Sequence, residues 1–340
     1  MVKIGVIGIG KMGISHLSIL GGNPNVDVVG IADNSQMIME AIGKYAPFKC
    51  YTNHIEMIEN ERPEAVFVST PTKYHFSMVK ELMVKGIHVF VEKPFCLNSK
   101  EGAELVEIAN SKKLINQVGY HNKFIGTFSE AKNIIKHGGI GEIVHFSVEM
   151  HGPVVIKKKE GTWRSKPNEG GGCLMDYAAH SIDLINNMIG KINTVEGVLI
   201  KSIYSKDVED AVYALLKTEN NISGVLNVNW SDETYRKMST TFTILGTKGK
   251  IIVDSTEIKV YVKETISDSN YFKGWNIYHI NDLSEKVDFY LRGEEYSAQV
   301  QYFIETLEGK KENNINTFKS AWETDQVIEK IKCYNNTKHA

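Results

Sequence analysis

No apolar stretch of this sequence approaches the ~18 residues needed to cross a bilayer. Runs such as Ile87–Val91 are far shorter, so no membrane partner is expected. Cysteine is scarce: Cys50, Cys96, Cys173 and Cys333 are the four present, too widely spaced for a zinc site. With no export signal visible they read as free thiols in a reducing compartment, most of them small buried hydrophobes. Cys173 stands apart because of its polar neighbours. An excess of either charge is also missing, since 39 basic residues face 41 acidic ones for a net charge of −2. That balance excludes the basic footprint of a nucleic-acid binder. Internal repeats and low-complexity linkers are absent too. The opening Met1-Val2-Lys3-Ile4-Gly5-Val6-Ile7 reads as a buried strand running straight into a glycine loop. It leaves no place for a cleavable leader, so a cytoplasmic location is expected.

What is present divides in two. At 340 residues the chain is long enough for roughly two domains. Up to about residue 122, short apolar runs alternate with amphipathic stretches. Strands are predicted at Lys3–Ile7, Val26–Ala32, Ala65–Ser69, His88–Val91 and Ile115–Gly119. Helical patterns fall near His16–Leu20, Gln36–Tyr45, Ile55–Glu59, Phe76–Lys85 and Lys100–Lys112. Such alternation implies crossover connections and a parallel sheet covered on both faces, an α/β Rossmann domain. From 123 to 340, a helix at Phe124–His137 precedes strands at Ile143–Glu149, Val195–Ile203, Ala211–Leu216, Ile222–Asn229, Thr240–Leu245, Ile251–Val253 and Ile258–Val262. Helices interrupt or follow at Leu174–Ile189, Tyr296–Leu307 and Phe318–Lys332. This half reads as an α+β domain with a large, mostly antiparallel open sheet.

Gly8-Ile9-Gly10-Lys11-Met12-Gly13 follows a strand and opens a helix, as the dinucleotide fingerprint requires. Gly8 would make the tight turn, Gly10 would admit a pyrophosphate, and Gly13 would allow helix and strand to pack closely. The helix N-terminus adds amides and a positive dipole end. The second strand ends at Asp33, 20 residues past Gly13, where a carboxylate would bind the adenosine ribose; the alternative is an N-cap of the next helix. A carboxylate followed by Asn34, Ser35 and Gln36, with no arginine or lysine, favours NAD over NADP. The loops Ser69-Thr70-Pro71-Thr72-Lys73-Tyr74-His75 and Val91-Glu92-Lys93-Pro94 fall at the carboxyl edge of the sheet, where open α/β folds bind ligands. Pro94 pushes Lys93 into an extended conformation and is a candidate cis proline. Lys93 is then either an ammonium presented at the cofactor cleft or a surface lysine.

The densest polar cluster is Trp163-Arg164-Ser165 followed by Gly170-Gly171-Gly172-Cys173-Leu174-Met175-Asp176-Tyr177-Ala178-Ala179-His180. Three glycines before a helix suggest close approach of a ligand or a cofactor ring. Asp176 and His180 share a helix face at i,i+4, with Asp183 a turn further on. Oxidation of an alcohol needs a base for the hydroxyl proton, a role suited to histidine, and a cation to stabilise the alkoxide, a role suited to Lys93. A helix-surface Asp/His contact is the alternative. A His/Asp zinc site lacks a third ligand, so no metal is expected.

These residues together resemble the Gfo/Idh/MocA oxidoreductases, a family of sugar and inositol dehydrogenases, over almost the whole length. The resemblance rests on Gly8–Gly13, Thr70-Pro71 with His75, Glu92-Lys93-Pro94, and Gly170-Gly171-Gly172 followed by Asp176 and His180. It implies that Lys93, Asp176 and His180 are catalytic and that the cofactor touches the glycine loop, Asp33, Asn34, Ser69, Thr70, Pro71, His75, Glu92 and Lys93. It also implies a polyol or sugar substrate and a homodimer or homotetramer built through the second sheet. An NAD-assisted glycosidase or dehydratase and a non-catalytic dinucleotide-binding regulator are the rival functions. Substrate candidates are Tyr120, Asn122, Trp163, Arg164 and Tyr235, with Arg236 and Arg292 on weaker warrant; Trp230 and Trp275 read as core or interface. His121-Asn122-Lys123-Phe124 departs from the arginine pair that many members carry there.

Overall fold

The computed structural model describes every residue except 156–161, 268, 285, 288, 339 and 340. The alternating first part folds into six parallel strands: β1 (Val2–Ile7), β2 (Val26–Ala32), β3 (Cys50–Tyr51), β4 (Ala65–Val68), β5 (His88–Val91) and β6 (Asn116–Val118). They are ordered β3-β2-β1-β4-β5-β6. Helices α1 (Lys11–Gly21), α2 (Gln36–Tyr45), α3 (His54–Glu61), α4 (His75–Val84) and α5 (Ser99–Lys112) are the crossovers. All four residues of β4 are buried, and so are the last three of β5. An unbroken apolar run is what a strand covered on both faces requires. The strand order reverses between β1 and β4, so the carboxyl ends of these two strands frame the crevice in which such sheets bind ligands. Strand β3 is only two residues long and has no apolar run, which is why the sequence does not announce it.

The second sheet follows α6 (Gly126–Lys136) and β7 (Ile143–His151). A π-helical turn, Leu174–Ala178, leads into α7 (Ala179–Met188). Then come β8 (Ile192–Lys201), β9 (Ala211–Thr218), β10 (Ser223–Asn229), β11 (Ser239–Gly246), β12 (Gly249–Val253), β13 (Glu257–Val262), β14 (Gly274–His279) and α8 (Ile280–Leu283). The eight strands run β14-β13-β12-β11-β7-β10-β9-β8. Every pairing is antiparallel except that of β10 with β7. The expected open, mostly antiparallel sheet is therefore present, with β14 an addition to it. Alternation sorts its faces: Thr240, Phe242 and Ile244 of β11 are buried, whereas Leu245 is exposed. Helices α6 and α7 cover the buried face. On the other face Leu199, Leu215, Tyr261, Trp275 and Ile277 remain exposed.

The chain closes with α9 (Glu294–Leu307) and α10 (Phe318–Lys338). It divides into two compact units, Met1–His121 with Lys286–Trp322, and Asn122–Glu285 with Glu323–Ala340. Helix α9 thus belongs to the Rossmann unit. Its Val300, Phe303 and Ile304 join Ile4, Val6, Phe67 and Phe90 in one core, and Phe303 meets both phenylalanine rings edge-on. Gln117 Nε2 donates to the Gln299 carbonyl at 3.0 Å, and Asn23 Nδ2 donates to Gln301 Oε1 at 2.8 Å. Nothing in the composition of this stretch announces the return. Among the described residues no helix is long and apolar enough to cross a membrane.

Candidate active site

The glycine loop joins β1 to α1. A Cβ added at Gly13 would lie 1.8 Å from the Gly8 carbonyl oxygen, whereas one added at Gly10 would meet no protein atom within 4 Å. Gly13 is thus needed by the fold, and Gly10 keeps open a surface that the protein does not itself fill. Asp33 closes β2 beside this loop: Oδ2 accepts from Ile9 N at 2.7 Å and Oδ1 from Ser35 N at 2.9 Å. The N-cap of α2 is Ser35, so Asp33 does not cap that helix. Asn34 is exposed next to it. A cavity of about 370 Å³ opens here, lined by Gly8, Gly10, Asp33, Asn34, Ser69, Thr70 and Pro71 among others. Ser69 is one of the lining residues, and its Oγ is buried with no hydrogen-bond partner among the described residues, an orphaned polar atom of the kind a ligand can satisfy. Ile9 is buried, Met12 half-buried and Lys11 exposed, and none of the three is among the cavity's lining residues. Thr52, His54, Tyr74 and Met78 also line the cavity and were not foreseen. The first two follow the unannounced β3, and the other two sit on the turn and helix after Pro71.

The second loop carries Glu92 and Lys93. The Lys93–Pro94 peptide is cis, and Lys93 is half-buried. His75, expected beside the cofactor, is instead buried with both ring nitrogens on protein carbonyls. Nδ1 lies 2.9 Å from Pro94 O and 3.2 Å from Phe95 O, and Nε2 lies 2.8 Å from Thr70 O. It clamps the two ligand-edge loops to each other. Burial pushes its pKa down against the pull of these carbonyls. Glu92 is also turned inward: Oε1 accepts from His16 Nε2 at 2.7 Å and Oε2 from Lys93 N at 3.2 Å. Tyr120 is fully buried, and its carbonyl accepts from Asn316 Nδ2 at 2.7 Å. Arg292 lies 5.3 Å over the Tyr296 ring.

In the second unit the predicted helix Leu174–Ile189 begins as the π turn, so Asp176 lies in the widened segment and His180 in the regular helix. Both are buried. The start of this segment is held by Glu209: Leu174 N donates to Glu209 Oε1 at 2.9 Å, and Cys173 N donates to the Glu209 carbonyl at 3.0 Å. Cβ atoms added at Gly171 and Gly172 would lie 2.5 Å from the Arg164 carbonyl and 2.2 Å from Glu209 Oε1. These glycines therefore make room for neighbouring chain rather than for a ligand, which corrects the expectation. Cys173 is buried, and burial, followed by the Glu209, Asp210 and Asp176 carboxylates, pushes its thiol well up; it is no nucleophile. Arg164 Nε donates to Asp176 Oδ2 at 2.7 Å, and its guanidinium lies 4.7 Å over the Trp163 ring. That side chain is committed to orienting Asp176, although it stays partly exposed. Tyr235 meets His151 edge-on at 5.4 Å, while Arg236 is exposed. Trp230 is fully buried and donates Nε1 to Asp210 Oδ1 at 2.7 Å; Trp275 is 54% exposed.

Asn122 is buried. Its neighbour Lys123, read from sequence only as a departure from an arginine, forms a buried ion pair with Asp183 at 2.7 Å. Asp183 lies one turn beyond His180, so the pair fixes the helix that carries the histidine. Burial pushes the Asp183 carboxyl up, and the Lys123 ammonium pulls it back. Lys123→Met should therefore destabilise the protein by about 3–5 kcal/mol at pH 7, because it leaves a buried charge unpaired. The cost should shrink toward pH 5. A carboxyl raised in the folded state favours folding below its unfolded pKa, and this contribution is lost as pH rises through the folded value. Urea unfolding of both proteins at the two pH values checks this.

Two sequence models describe the chain. An oxidoreductase family with an NAD-binding Rossmann fold matches residues 2–120, and the C-terminal domain of the same GFO/IDH/MocA family matches residues 128–252. The chain belongs to the GFO/IDH/MocA oxidoreductase family. An uncharacterized oxidoreductase of Schizosaccharomyces pombe is 31% identical over 63% of this chain and 59% of its own length. The glucose-6-phosphate 3-dehydrogenase of Bacillus subtilis is 26% identical over 54% of this chain and 53% of its own. The chain thus spans under two thirds of these relatives. A levoglucosan dehydrogenase solved in complex with NADH superposes with a TM-score of 0.87 at 18% identity, covering 99% of this chain and 97% of that one. At that identity the likeness shows the fold.

A GFO/IDH/MocA protein binds a nicotinamide dinucleotide on its Rossmann unit, and the residues present fit one. Gly10 leaves open a place for a phosphate at the N-terminus of α1. Ser69 brings a buried hydroxyl with no hydrogen bond, and Asp33 is fixed where β2 ends.

Proposed function

We propose that this protein is an NAD-dependent dehydrogenase that moves a hydride between a secondary hydroxyl of a sugar or polyol and the nicotinamide. One observation carries the reading most: the glycine loop is closed at Gly13 by the Gly8 carbonyl and open at Gly10 onto a cavity bordered by Asp33. The bound dinucleotide supplies the hydride acceptor. Asp33 presents a carboxylate with no arginine or lysine in the next three residues, which accepts a ribose diol and repels a 2′-phosphate, so NAD is preferred to NADP. His180 accepts the hydroxyl proton, Lys93 polarises the oxygen, and Asp176, fixed by Arg164, orients the histidine or a neighbouring hydroxyl. The substrate class follows the relatives, which include dehydrogenases of glucose 6-phosphate and levoglucosan. The exposed apolar face of the second sheet would be covered by a second copy of the chain.

The test is NADH formation across polyols, free aldoses, anhydrosugars, sugar phosphates and nucleotide sugars, run with NAD and with NADP. NAD-linked oxidation of at least one class, at kcat/KM about tenfold or more above that with NADP, is expected. Turnover with none of them, or a preference for NADP, would overturn the corresponding part of the reading.

A further inference from the structure

Behind Lys93 lies a buried pair that the proposed reaction does not use. His16 projects from α1, the helix that follows the glycine loop, and is fully buried against Phe67 and Phe90 at ring distances of 5.6 and 5.0 Å. Among the described residues its ring makes one hydrogen bond, from Nε2 to Glu92 Oε1 at 2.7 Å, and Nδ1 is buried without a hydrogen-bond partner. A carboxylate only accepts, so the tautomer that satisfies the pair carries its hydrogen on Nε2 and leaves Nδ1 as a lone pair. An isolated polar pair inside an aromatic core is costly to keep, so a use for it is worth seeking. The other oxygen of Glu92 accepts from the backbone amide of Lys93 at 3.2 Å. Gly119 leaves room for this carboxylate: a Cβ there would lie 3.0 Å from it.

We propose that His16 and Glu92 are positioning residues. They form a buried dyad that fixes a negative charge beside Lys93 and ties the helix of the dinucleotide loop to the loop that carries the lysine. This rests on the reading of Lys93 as the reacting cation. The surroundings are consistent with a carboxylate held ionised. Burial pushes the Glu92 carboxyl up, but the His16 hydrogen bond and the positive charge beside it, which at working pH is the Lys93 ammonium, outweigh it and hold the carboxyl below its usual range. From the other side His121 stacks on Tyr296 at 4.4 Å, with Arg292 over the far ring. Burial drives His121 down to about 4, so it is neutral at working pH.

The dyad can be tested without any substrate. Trace acetylation of the intact protein at one mildly alkaline pH, with mass-spectrometric readout of the peptide bearing Lys93 against the other lysine peptides, gives the reactivity of that amine. Loss of the fixed neighbouring carboxylate should raise this reactivity about threefold or more in Glu92→Gln. His16→Gln keeps an amide donor for Glu92 and should preserve the wild-type reactivity, whereas His16→Phe lacks a donor and should raise it. The two His16 variants carry the test even if Glu92→Gln fails to fold. Wild-type reactivity in a folded Glu92→Gln, or equal reactivities in the two His16 variants, overturns the dyad. Failure of the catalytic assignment itself would appear elsewhere, as retained turnover in Lys93→Met with these reactivities behaving as expected.

Discussion

Lys93→Met is expected to lower NADH formation about a thousandfold or more while the affinity for NADH stays within about threefold of wild type. Methionine keeps the length and the apolar stem of lysine and removes only the ammonium. Because Lys93 is half-buried at the end of β5, and its backbone amide is held by Glu92, the change should leave the loop in place. His180→Asn should have an effect of similar size for the complementary reason, loss of the proton acceptor. The two losses should not multiply in the double variant, since a base and an electrostatic partner acting on one hydroxyl work as a unit. The measurements are kcat on the substrate found in the screen and fluorescence titration with NADH. A Lys93→Met enzyme with normal kcat sinks the assignment, and one that no longer binds NADH shows the lysine to be part of the dinucleotide site instead.

The parts of this molecule legible from sequence are those whose signal is local. Strands β2 and β5 and helix α2 lie where apolar runs and amphipathic spacing put them, and the glycine loop sits between a strand and a helix as its spacing demands. The positions of Lys93 and Asp33 are readable because each closely follows a strand at the carboxyl edge of a parallel sheet. What escaped detection depends on partners distant in the chain. Glu209 holds the start of the π turn from 35 residues away, and His16 meets Glu92 across 76. Lys123 meets Asp183 across 60. No periodicity encodes such pairs, and each residue alone looks like a surface charge or a core histidine. Reading a ligand cradle at Gly171 and Gly172 went astray for the same reason: a glycine run says that something comes close, not what. Here it is the Arg164 carbonyl and the Glu209 carboxylate. His75 stands on a loop at the ligand edge, and its ring turns inward to Thr70 and Pro94, partners that the sequence does not announce.

Gly10→Ala and Gly13→Ala should separate binding from folding within a single loop. At Gly13 the added methyl would sit 1.8 Å from the Gly8 carbonyl oxygen, well inside van der Waals contact with backbone. Helix α1 would have to lift away from β1, and α1 carries Leu17, Ile19 and Leu20 into the core. A loss of about 3 kcal/mol or more in unfolding free energy is expected, with dinucleotide binding lost as a consequence. Gly10 presents the opposite case. Its φ of −76° and ψ of −167° suit any residue, and no protein atom lies within 4 Å of the added Cβ. Alanine there should cost no more than about 1 kcal/mol, the range seen for a helix N-cap, and the methyl would fill the space left for the ligand. Affinity for NADH should then fall about tenfold or more, with the unfolding curve almost unmoved. Chemical denaturation and NADH titration of the two variants decide the matter. If Gly10→Ala binds NADH as wild type does, the phosphates do not lie on this loop. If Gly13→Ala is as stable as wild type, α1 and β1 are not packed as closely as their backbone positions require.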